Sequence, residues 1–286
     1  MPRISFLTDY GLTDGFVAAC HGVIARIAPA VPVLDITHAV PPGDIRRGAV
    51  VLAQTLPYLP PGVHVAVVDP GVGTLRRGVL VRTAEHLMVG PDNGLLMWAA
   101  DALGGAVAAY ELTERALMLP RVSATFHGRD VFAPVAAHLA LGTPPHSVGP
   151  PVPVDELVRL PEPVAYVADR RAHGEVLAVD RFGNVQTSLD AARLDEIGAA
   201  PGTELAVRTP HEDRRVDYVG TFGHVPRGTP AVLVDSSDRV ALVCNGADAA
   251  AHFDLVPGDL LVIGVAADDE RVEADAETPD TTEPEG

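Results

Sequence analysis

Apolar residues in the first half of the chain form short runs that alternate with segments of helical periodicity. Three runs are predicted strands: ISFLTD, VPVLDIT and VHVAVVD. Helical spacing predicts helices over Phe16–Ile27 and Ile45–Tyr58, the second with Asp44 as its N-cap. Because uninterrupted apolar strands suit a sheet that is covered on both faces, the pattern predicts an α/β layered N-terminal domain with a largely parallel sheet.

The pattern changes after a proline-rich stretch near residues 142–163. Before it, two more strands (GVLVRTA and HLMVG) and helices over 95–100 and 129–140 are predicted. After it, short apolar runs are separated by Gly, Pro, Asp or Asn, which is typical of a small β sandwich or barrel. The predicted organisation is therefore an α/β domain over residues 1–150 and a smaller β-barrel-like domain over 164–266.

Charge sets the C-terminal segment apart from these two domains. The 286-residue chain has a formal net charge of −17, and residues 268–285 contribute nine acids and one base to it. This segment has no apolar periodicity, so residues 267–286 are predicted to be a disordered acidic tail. A surface of this charge is a poor partner for nucleic acid, whose binding needs clustered cations.

Several classes of protein and of site are not supported by the sequence. No apolar run is long enough to cross a bilayer and the N-terminus has no signal-peptide pattern, so a cytoplasmic protein without a membrane partner is expected. The chain contains no lysine, which excludes Schiff-base chemistry on that residue. Neither Cys20 nor Cys244 has metal-ligand spacing, and HExxH and CxxC motifs are absent, so no metal site is predicted.

Carboxylates and glycines follow the predicted parallel strands, where α/β sheets place their ligands. Asp9 and Asp14 follow the first strand, and Asp69 follows the third in the run DPGVGTLRR. His127 lies in FHGRD, just before a predicted helix. Taken singly, these residues are typical of turns, helix caps and structural histidines.

Two segments of the β half contain between them an aromatic ring, amides and small residues, which together can hold a purine. They are DRFGNV, which starts at Asp180, and DSSDRVALVCNGADAA, which starts at Asp235. Hairpin turns favour Gly-Asn, Ser-Asp and Asn-Gly pairs, so each segment taken alone is better explained as a turn.

The ordered set of motifs is more specific than any one of them. TDYGLTD, VVDPGVGTLRRG, GPDNGLL, FHGRD, DRFGNV and DSSDRVALVCNGADAA occur in this order between about Ile4 and Val265. Together they resemble the S-adenosylmethionine hydroxide adenosyltransferases, which are adenosine-forming S-adenosylmethionine hydrolases related to fluorinating and chlorinating enzymes. The resemblance implies hydrolysis of S-adenosylmethionine to adenosine and L-methionine, with no cofactor.

The resemblance also implies roles for residues of the N-terminal half. Its hydrolase-type pattern predicts Asp69, Arg76 and His127 as the catalytic residues. Asp14 is expected to hold the ribose hydroxyls and Phe126 to flank the ligand. Two further residues of the same motifs complete the substrate-binding set predicted for this half: Asp9 and Gly128.

In the C-terminal half, the resemblance implies a purine pocket and a methionine pocket. Asn184 and the backbone at Asn245 and Gly246 are expected to read the adenine, and Phe222 to add to the adenine pocket. Phe182 is expected to flank the ligand, as Phe126 is. Asp180 and Ser236 are expected to hold the methionine end. A homotrimer is also implied, with the ligand between the N-terminal domain of one subunit and the C-terminal domain of its neighbour.

The sequence departs from the family pattern at two positions. Gly43 stands where the fluorinating enzymes carry a tryptophan against the ribose, and Asp238 stands where the common run is Ser-Ser-Gly. The effect of either change on the ligand site does not follow from the sequence.

The proton that the reaction releases limits which of the catalytic residues can act as the base. The attacking water must lose one proton, whereas the thioether leaving group needs none. Arg76 stays protonated, so Asp69 and His127 are the candidate bases, and the sequence does not choose between them.

Three alternative functions stay open at this point. The protein could transfer halide instead of hydroxide to the same carbon. It could bind adenosine or S-adenosylmethionine without turnover. It could also be a metal-dependent hydrolase, with ligands taken from four residues: Asp9, Asp14, Asp69 and His127.

Overall fold

The computed structural model describes residues 3–266. The chain divides into two units between Glu162 and Pro163. The acidic stretch 267–286, predicted to be disordered, lies outside the described residues. Within residues 3–266, no helix has both the length and the apolar character that a membrane span requires.

The first unit is built on one mixed sheet. Its seven strands are β1 (Ile4–Thr8), β2 (Val33–Thr37), β3 (Val63–Val67), β4 (Gly78–Arg82), β5 (Leu87–Pro91), β6 (Ala108–Glu111) and β7 (Pro151–Val152). They lie in the order β2-β1-β3-β5-β4-β6-β7. The pairings among β2, β1, β3 and β5 are parallel and the rest are antiparallel, so the predicted α/β fold is confirmed and its parallel part is one half of the sheet.

Helices cover both faces of this sheet. They are α1 (Phe16–Ile27), α2 (Ile45–Thr55), α3 (Met97–Ala102) and α4 (Ala133–Ala140), and a π-helical turn, Gly128–Phe132, leads into α4. Phe6 of β1 packs in a core cluster with α1 and α4, whereas the next residue, Leu7, packs in a second cluster with α2 and α3. Two covered faces explain why β1 and β3 are buried at every position.

The second unit is a closed barrel. Its strands are β8 (Ala165–Ala168), β9 (Arg171–Val179), β10 (Val185–Asp190), β11 (Glu204–Arg208), β12 (Asp213–Tyr218), β13 (Pro230–Val234), β14 (Arg239–Cys244) and β15 (Leu260–Val265). Short helices α5 (Ala191–Glu196) and α6 (Ala249–Phe253) accompany them. Because β10 pairs with both β14 and β9, seven strands close on themselves and β8 extends β9, which confirms the predicted barrel-like domain.

The parallel pairing of β1 and β3 determines where polar residues of the first unit meet. Thr8, the last residue of β1, lies opposite Val67, the last residue of β3. The chain beyond each strand therefore leaves the same edge of the sheet, which brings Asp9 and Asp69 to one place.

Candidate active site

A cavity of about 170 Å³ lies at this edge of the sheet. The residues that line it are Asp9, Tyr10, Gly43, Val67, Asp69, Pro70, Val72, Thr125, His127 and Gly128. Four of the predicted site residues of the first unit are in this set: Asp9, Asp69, His127 and Gly128. The cavity thus combines carboxylate, imidazole and phenol groups in one small space.

Arg76 connects the two candidate bases from behind the cavity wall. Its Nε donates to Asp69 Oδ1 at 3.0 Å, and its Nη2 donates to Asp69 Oδ2. The same Nη2 lies 3.2 Å from His127 Nδ1. The Arg76 guanidinium also lies over the Phe132 ring, 5.5 Å from its centroid. Arg76 is absent from the described lining of the cavity and contacts two residues that do line it, Asp69 and His127.

The contact between Arg76 and His127 assigns the histidine proton. A guanidinium group can only donate, so Nδ1 of His127 accepts and the imidazole hydrogen is on Nε2. Burial and the charge of Arg76 both lower the pKa of His127, which favours this neutral form. His127 is therefore a neutral imidazole whose remaining polar group is the Nε2–H donor.

Burial has the opposite effect on Asp69. The Asp69 and Arg76 side chains are only 6% and 9% exposed. Burial raises the pKa of Asp69, and the charge and hydrogen bonds of Arg76 oppose that increase. The result is a carboxylate that is more basic than a free aspartate and is held in a fixed orientation by two hydrogen bonds.

A close backbone contact fixes the loop that carries His127. Gly128 is buried, and a Cβ added to it would lie 2.1 Å from the Tyr10 hydroxyl oxygen. Asp130, also buried, accepts from the Ser123 backbone N–H at 2.8 Å and pairs with Arg129. The glycine is thus required for packing of the Tyr10 phenol, whatever contact it makes with a ligand.

Tyr10, which lines the cavity, belongs to a cluster of three aromatic rings. Phe126 packs edge-on against Tyr10 and Phe16, with centroid distances of 5.7 and 5.3 Å. The Arg129 guanidinium lies 4.8 Å from the Phe126 centroid. Phe126 was predicted from the sequence, whereas Tyr10 and Phe16 were not, although Tyr10 lies between Asp9 and Asp14 in the first motif.

The two aspartates that follow β1 have different settings. Asp9 accepts from the backbone N–H of Gly43 at 2.9 Å and so holds the loop that forms another wall of the cavity. Gly43 has φ +74°, a conformation that disfavours a bulky side chain, so the backbone itself forms the wall there. Asp14 is exposed in the turn before α1 and does not line the cavity within the described residues.

Asp180 organises the DRFGNV turn of the second unit. Its Oδ1 accepts from the backbone N–H groups of Phe182 and Asn184, and its Oδ2 accepts from the Asn184 amide at 2.7 Å. The Phe182 ring is 68% exposed. Asp180 thus supports the positions of Phe182, which was predicted to flank the ligand, and of Asn184, which was predicted to read the adenine.

A second group of predicted residues lies near the start and the end of β14. The Asn245 side chain donates to the Val225 carbonyl at 2.7 Å, which holds it against the segment that carries Phe222. The Phe222 residue is 42% exposed. Gly246 follows it with φ +72°. Ser236 is exposed in the turn between β13 and β14.

Asp238 has a conformation that explains the family preference for glycine. Its φ is +57°, in the left-handed region that glycine adopts without strain. Aspartate tolerates this region better than most residues do. The backbone of this turn therefore accepts Asp238 at the position where the family pattern has glycine.

The four residues of the metal-dependent alternative do not form a ligand cluster. Among residues 3–266, three potential ligands converge only at His21, Asp35 and His38. Asp9, Asp14, Asp69 and His127 are therefore not arranged to hold an ion together.

Replacement of Gly128 with alanine is expected to lower kcat/KM about tenfold and to destabilise the first unit by about 1–3 kcal/mol. The added methyl group would displace the Tyr10 ring and, through it, Phe126. Steady-state kinetics and urea unfolding measure the two effects. Gly22→Ala is the matched control, since a Cβ at this exposed position of α1 contacts nothing. Equal kinetics for the two variants would contradict the packing role of Gly128.

Comparisons with known proteins match both units. Residues 4–149 match the SAM hydroxide adenosyltransferase N-terminal domain, where SAM is S-adenosylmethionine, and residues 174–262 match the C-terminal domain of that family. The chain is 55% identical to an (R)-S-adenosyl-L-methionine hydrolase from Salinispora arenicola, over 91% of this chain and 97% of the relative. A hydrolase of the same name from Thermus thermophilus is 42% identical over 90% and 98%.

A fluorinase and a crystal structure also match most of the chain. A fluorinase from Actinopolyspora mzabensis is 30% identical over 90% of this chain and 95% of the relative. The crystal structure of an uncharacterised conserved protein from Thermotoga maritima superposes with a TM-score of 0.86 at 35% identity, over 92% of this chain and all of that one.

Proposed function

The chain belongs to the SAM hydroxide adenosyltransferase family, and we propose that it hydrolyses SAM to adenosine and L-methionine by in-line attack of water on C5′ of the ribose. The observation that supports this mechanism most directly is the Asp69–Arg76–His127 cluster at the wall of the 170 Å³ cavity. The assignments of individual site residues are part of the proposal.

The reaction defines what the cluster must do. The water oxygen forms a bond to C5′ while the C5′–S bond breaks, and its electron pair goes to sulfur. Sulfonium becomes a neutral thioether, so no acid is needed for the leaving group. One proton leaves the water, and a base or a site that stabilises hydroxide must receive it.

The hydrogen bonds of Arg76 favour Asp69 as that base. His127 Nδ1 accepts from Arg76, which leaves Nε2–H as a donor and removes the ring lone pair from the cavity. Asp69 retains acceptor capacity, since each carboxylate oxygen carries two lone pairs and Arg76 uses one on each. We therefore assign proton acceptance to Asp69, and donation to the water oxygen to His127.

Arg76 acts as the positioning residue in this mechanism. It orients the Asp69 carboxylate, fixes the tautomer of His127 and supplies a positive charge near the developing hydroxide. Positively charged SAM is attracted to a cavity that carries two carboxylates, Asp9 and Asp69.

Incubation of the protein with SAM in heavy-oxygen water tests the function. Attack of water on C5′ puts the label in the 5′-hydroxyl of adenosine and none in methionine. Unlabelled adenosine, or binding of SAM without product, would contradict the proposal. The same reaction with added chloride or fluoride tests for halide transfer, which would give a 5′-halo-5′-deoxyadenosine.

The homotrimer and the cytoplasmic location remain predictions. The residues expected to hold adenine and methionine are in the second unit, whereas the proposed reacting centre is in the first. A trimer with the ligand between neighbouring subunits would combine the two sets. Light scattering of the full-length protein measures the oligomeric state. To test for sites shared between chains, a variant inactivated by a substitution in the first unit is mixed with one inactivated in the second unit, and recovery of activity is measured.

The rate is expected to fall as the pH decreases from about 6.5 towards 3.8, the ordinary pKa values of histidine and aspartate. Ionised Asp69 is lost at a higher pH than usual because its pKa is raised. Neutral His127 persists to a lower pH than usual because its pKa is lowered. Measurement of kcat at saturating SAM, with circular dichroism to confirm folding, checks this acid limb. An increase in kcat on acidification would contradict both assignments.

A further inference from the structure

Three side chains of the first unit converge on one point. His21 of α1 and His38, just after β2, both approach the carboxylate of Asp35, which lies in β2. The Nε2 atoms of His21 and His38 are 2.9 and 3.0 Å from the same oxygen, Asp35 Oδ1. One potential ligand atom from each residue falls within 4.8 Å of the others.

His38 is buried, with only 3% of its side chain exposed. Its Nε2 atom is inaccessible and forms no hydrogen bond within the described residues, although it faces Asp35 at 3.0 Å. A buried ring nitrogen without a partner is costly. Asp35 therefore does not satisfy this nitrogen with a hydrogen bond, which leaves Nε2 available to a third atom bound between the two groups.

The other nitrogen of His38 is fixed by the protein. Nδ1 lies 2.8 Å from Thr8 Oγ1, an oxygen that accepts from the Tyr10 backbone N–H at 3.2 Å. A hydrogen bond of this kind orients the ring, as it does for metal-ligating histidines generally. The Phe6 ring packs edge-on against His38, with 5.1 Å between centroids.

We propose that His21 Nε2, His38 Nε2 and the Asp35 carboxylate bind one divalent transition-metal ion of the Zn²⁺ type. Two imidazoles and one carboxylate suit such an ion, whereas Mg²⁺ and Ca²⁺ prefer oxygen ligands. Zn–N distances of about 2.0–2.1 Å place tetrahedral ligand atoms about 3.3 Å apart, close to the separations found here. His21 and Asp35 are 34% and 42% exposed, which leaves a path for the ion and for water ligands.

The location of the site suggests a structural role. The His38 carbonyl accepts from the Gly11 backbone N–H at 2.7 Å, so His38 supports the loop that begins at Asp9. An ion at His38 would hold this loop to α1 and β2, and would raise the midpoint of thermal unfolding as its concentration increases. This proposal does not depend on the proposed hydrolysis.

Calorimetric titration of the full-length, tag-free, chelator-treated protein with Zn²⁺ tests the proposal. We expect saturable binding of one ion per chain, and visible absorption of tetrahedral type when Co²⁺ replaces Zn²⁺. His21→Ala and Asp35→Asn should each raise the Kd for Zn²⁺ at least about tenfold. Both positions are partly exposed, so these variants are expected to fold.

His146→Ala is the matched control, because it removes an exposed histidine outside the cluster. It should leave the Kd and the stoichiometry unchanged. Lack of saturable binding at one ion per chain would overturn the proposal, and so would equal Zn²⁺ affinity in wild type, His21→Ala and Asp35→Asn. Since these readouts need no SAM, failure of this site and failure of the proposed hydrolysis are distinguishable.

Discussion

Replacement of Asp69 with asparagine is expected to lower kcat by about 10²- to 10⁴-fold, the usual contribution of a positioned base. The amide keeps one oxygen that can accept from Arg76, but it cannot take a proton from water. The loss should appear in kcat more than in KM, because the interaction develops as the water is deprotonated. Chromatographic measurement of adenosine release at saturating SAM checks the value.

The chain offers a close control for this variant. Asp92 is also buried, with 4% of its side chain exposed, and it pairs with Arg77 at 2.7 Å, away from the described lining of the cavity. Asp92→Asn should reduce stability while changing kcat by less than about threefold. If His127→Asn lowers kcat far more than Asp69→Asn does, His127 is the base and the assignment made from the Arg76 hydrogen bonds is wrong.

Local signals predicted the parts of the fold that depend on short stretches of sequence. The bounds of α1 are those expected from its periodicity, and the predicted N-cap Asp44 accepts from the Arg47 backbone N–H at 2.8 Å. The helix predicted to end at Tyr58 is instead α-helical to Thr55 and continues as a 3-10 turn over Leu56–Tyr58. Pro57 explains the change, since proline disrupts α-helical hydrogen bonding.

Contacts between residues that are far apart in the chain could not be predicted from the sequence. Closure of the barrel depends on β10, a strand that mixes polar and apolar residues and was not predicted. Arg76 and His127 are 51 positions apart, so only the fold could show which nitrogen of His127 accepts from Arg76. The cluster of His21, Asp35 and His38 follows no ligand spacing that a motif search recognises, because two elements of the fold bring it together.

The family resemblance and the geometry contribute different information about the site. The resemblance selected Asp69, Arg76 and His127 from many turn-like aspartates and single histidines. The geometry then separated their roles, since Asp69 and His127 line the cavity and Arg76 lies behind them. Tyr10 was identified as a residue of the site only from the structure, where its hydroxyl packs against Gly128.

Replacement of Arg76 with methionine is expected to destabilise the first unit by about 3–5 kcal/mol and to lower kcat by at least about a hundredfold. The buried Asp69 carboxylate loses its only described ion-pair partner, and a charge left unpaired in this setting is costly. Arg76→Lys keeps the charge but lacks the fork that reaches both Asp69 oxygens and His127, so its activity should stay low while part of the stability returns. Urea unfolding and kcat measure the two effects separately.

The pH profile distinguishes a positioning role of Arg76 from a purely structural one. The positive charge of Arg76 lowers the pKa of both His127 and Asp69, so its removal should raise both values. The acid limb of the residual kcat in Arg76→Met should therefore move to higher pH, because neutral His127 and ionised Asp69 are both lost earlier on acidification. Arg77→Met breaks the neighbouring pair with Asp92 and should reduce stability without moving the limb. An unchanged limb in Arg76→Met would mean that the arginine only supports the fold, and that the proton on His127 is set by another group.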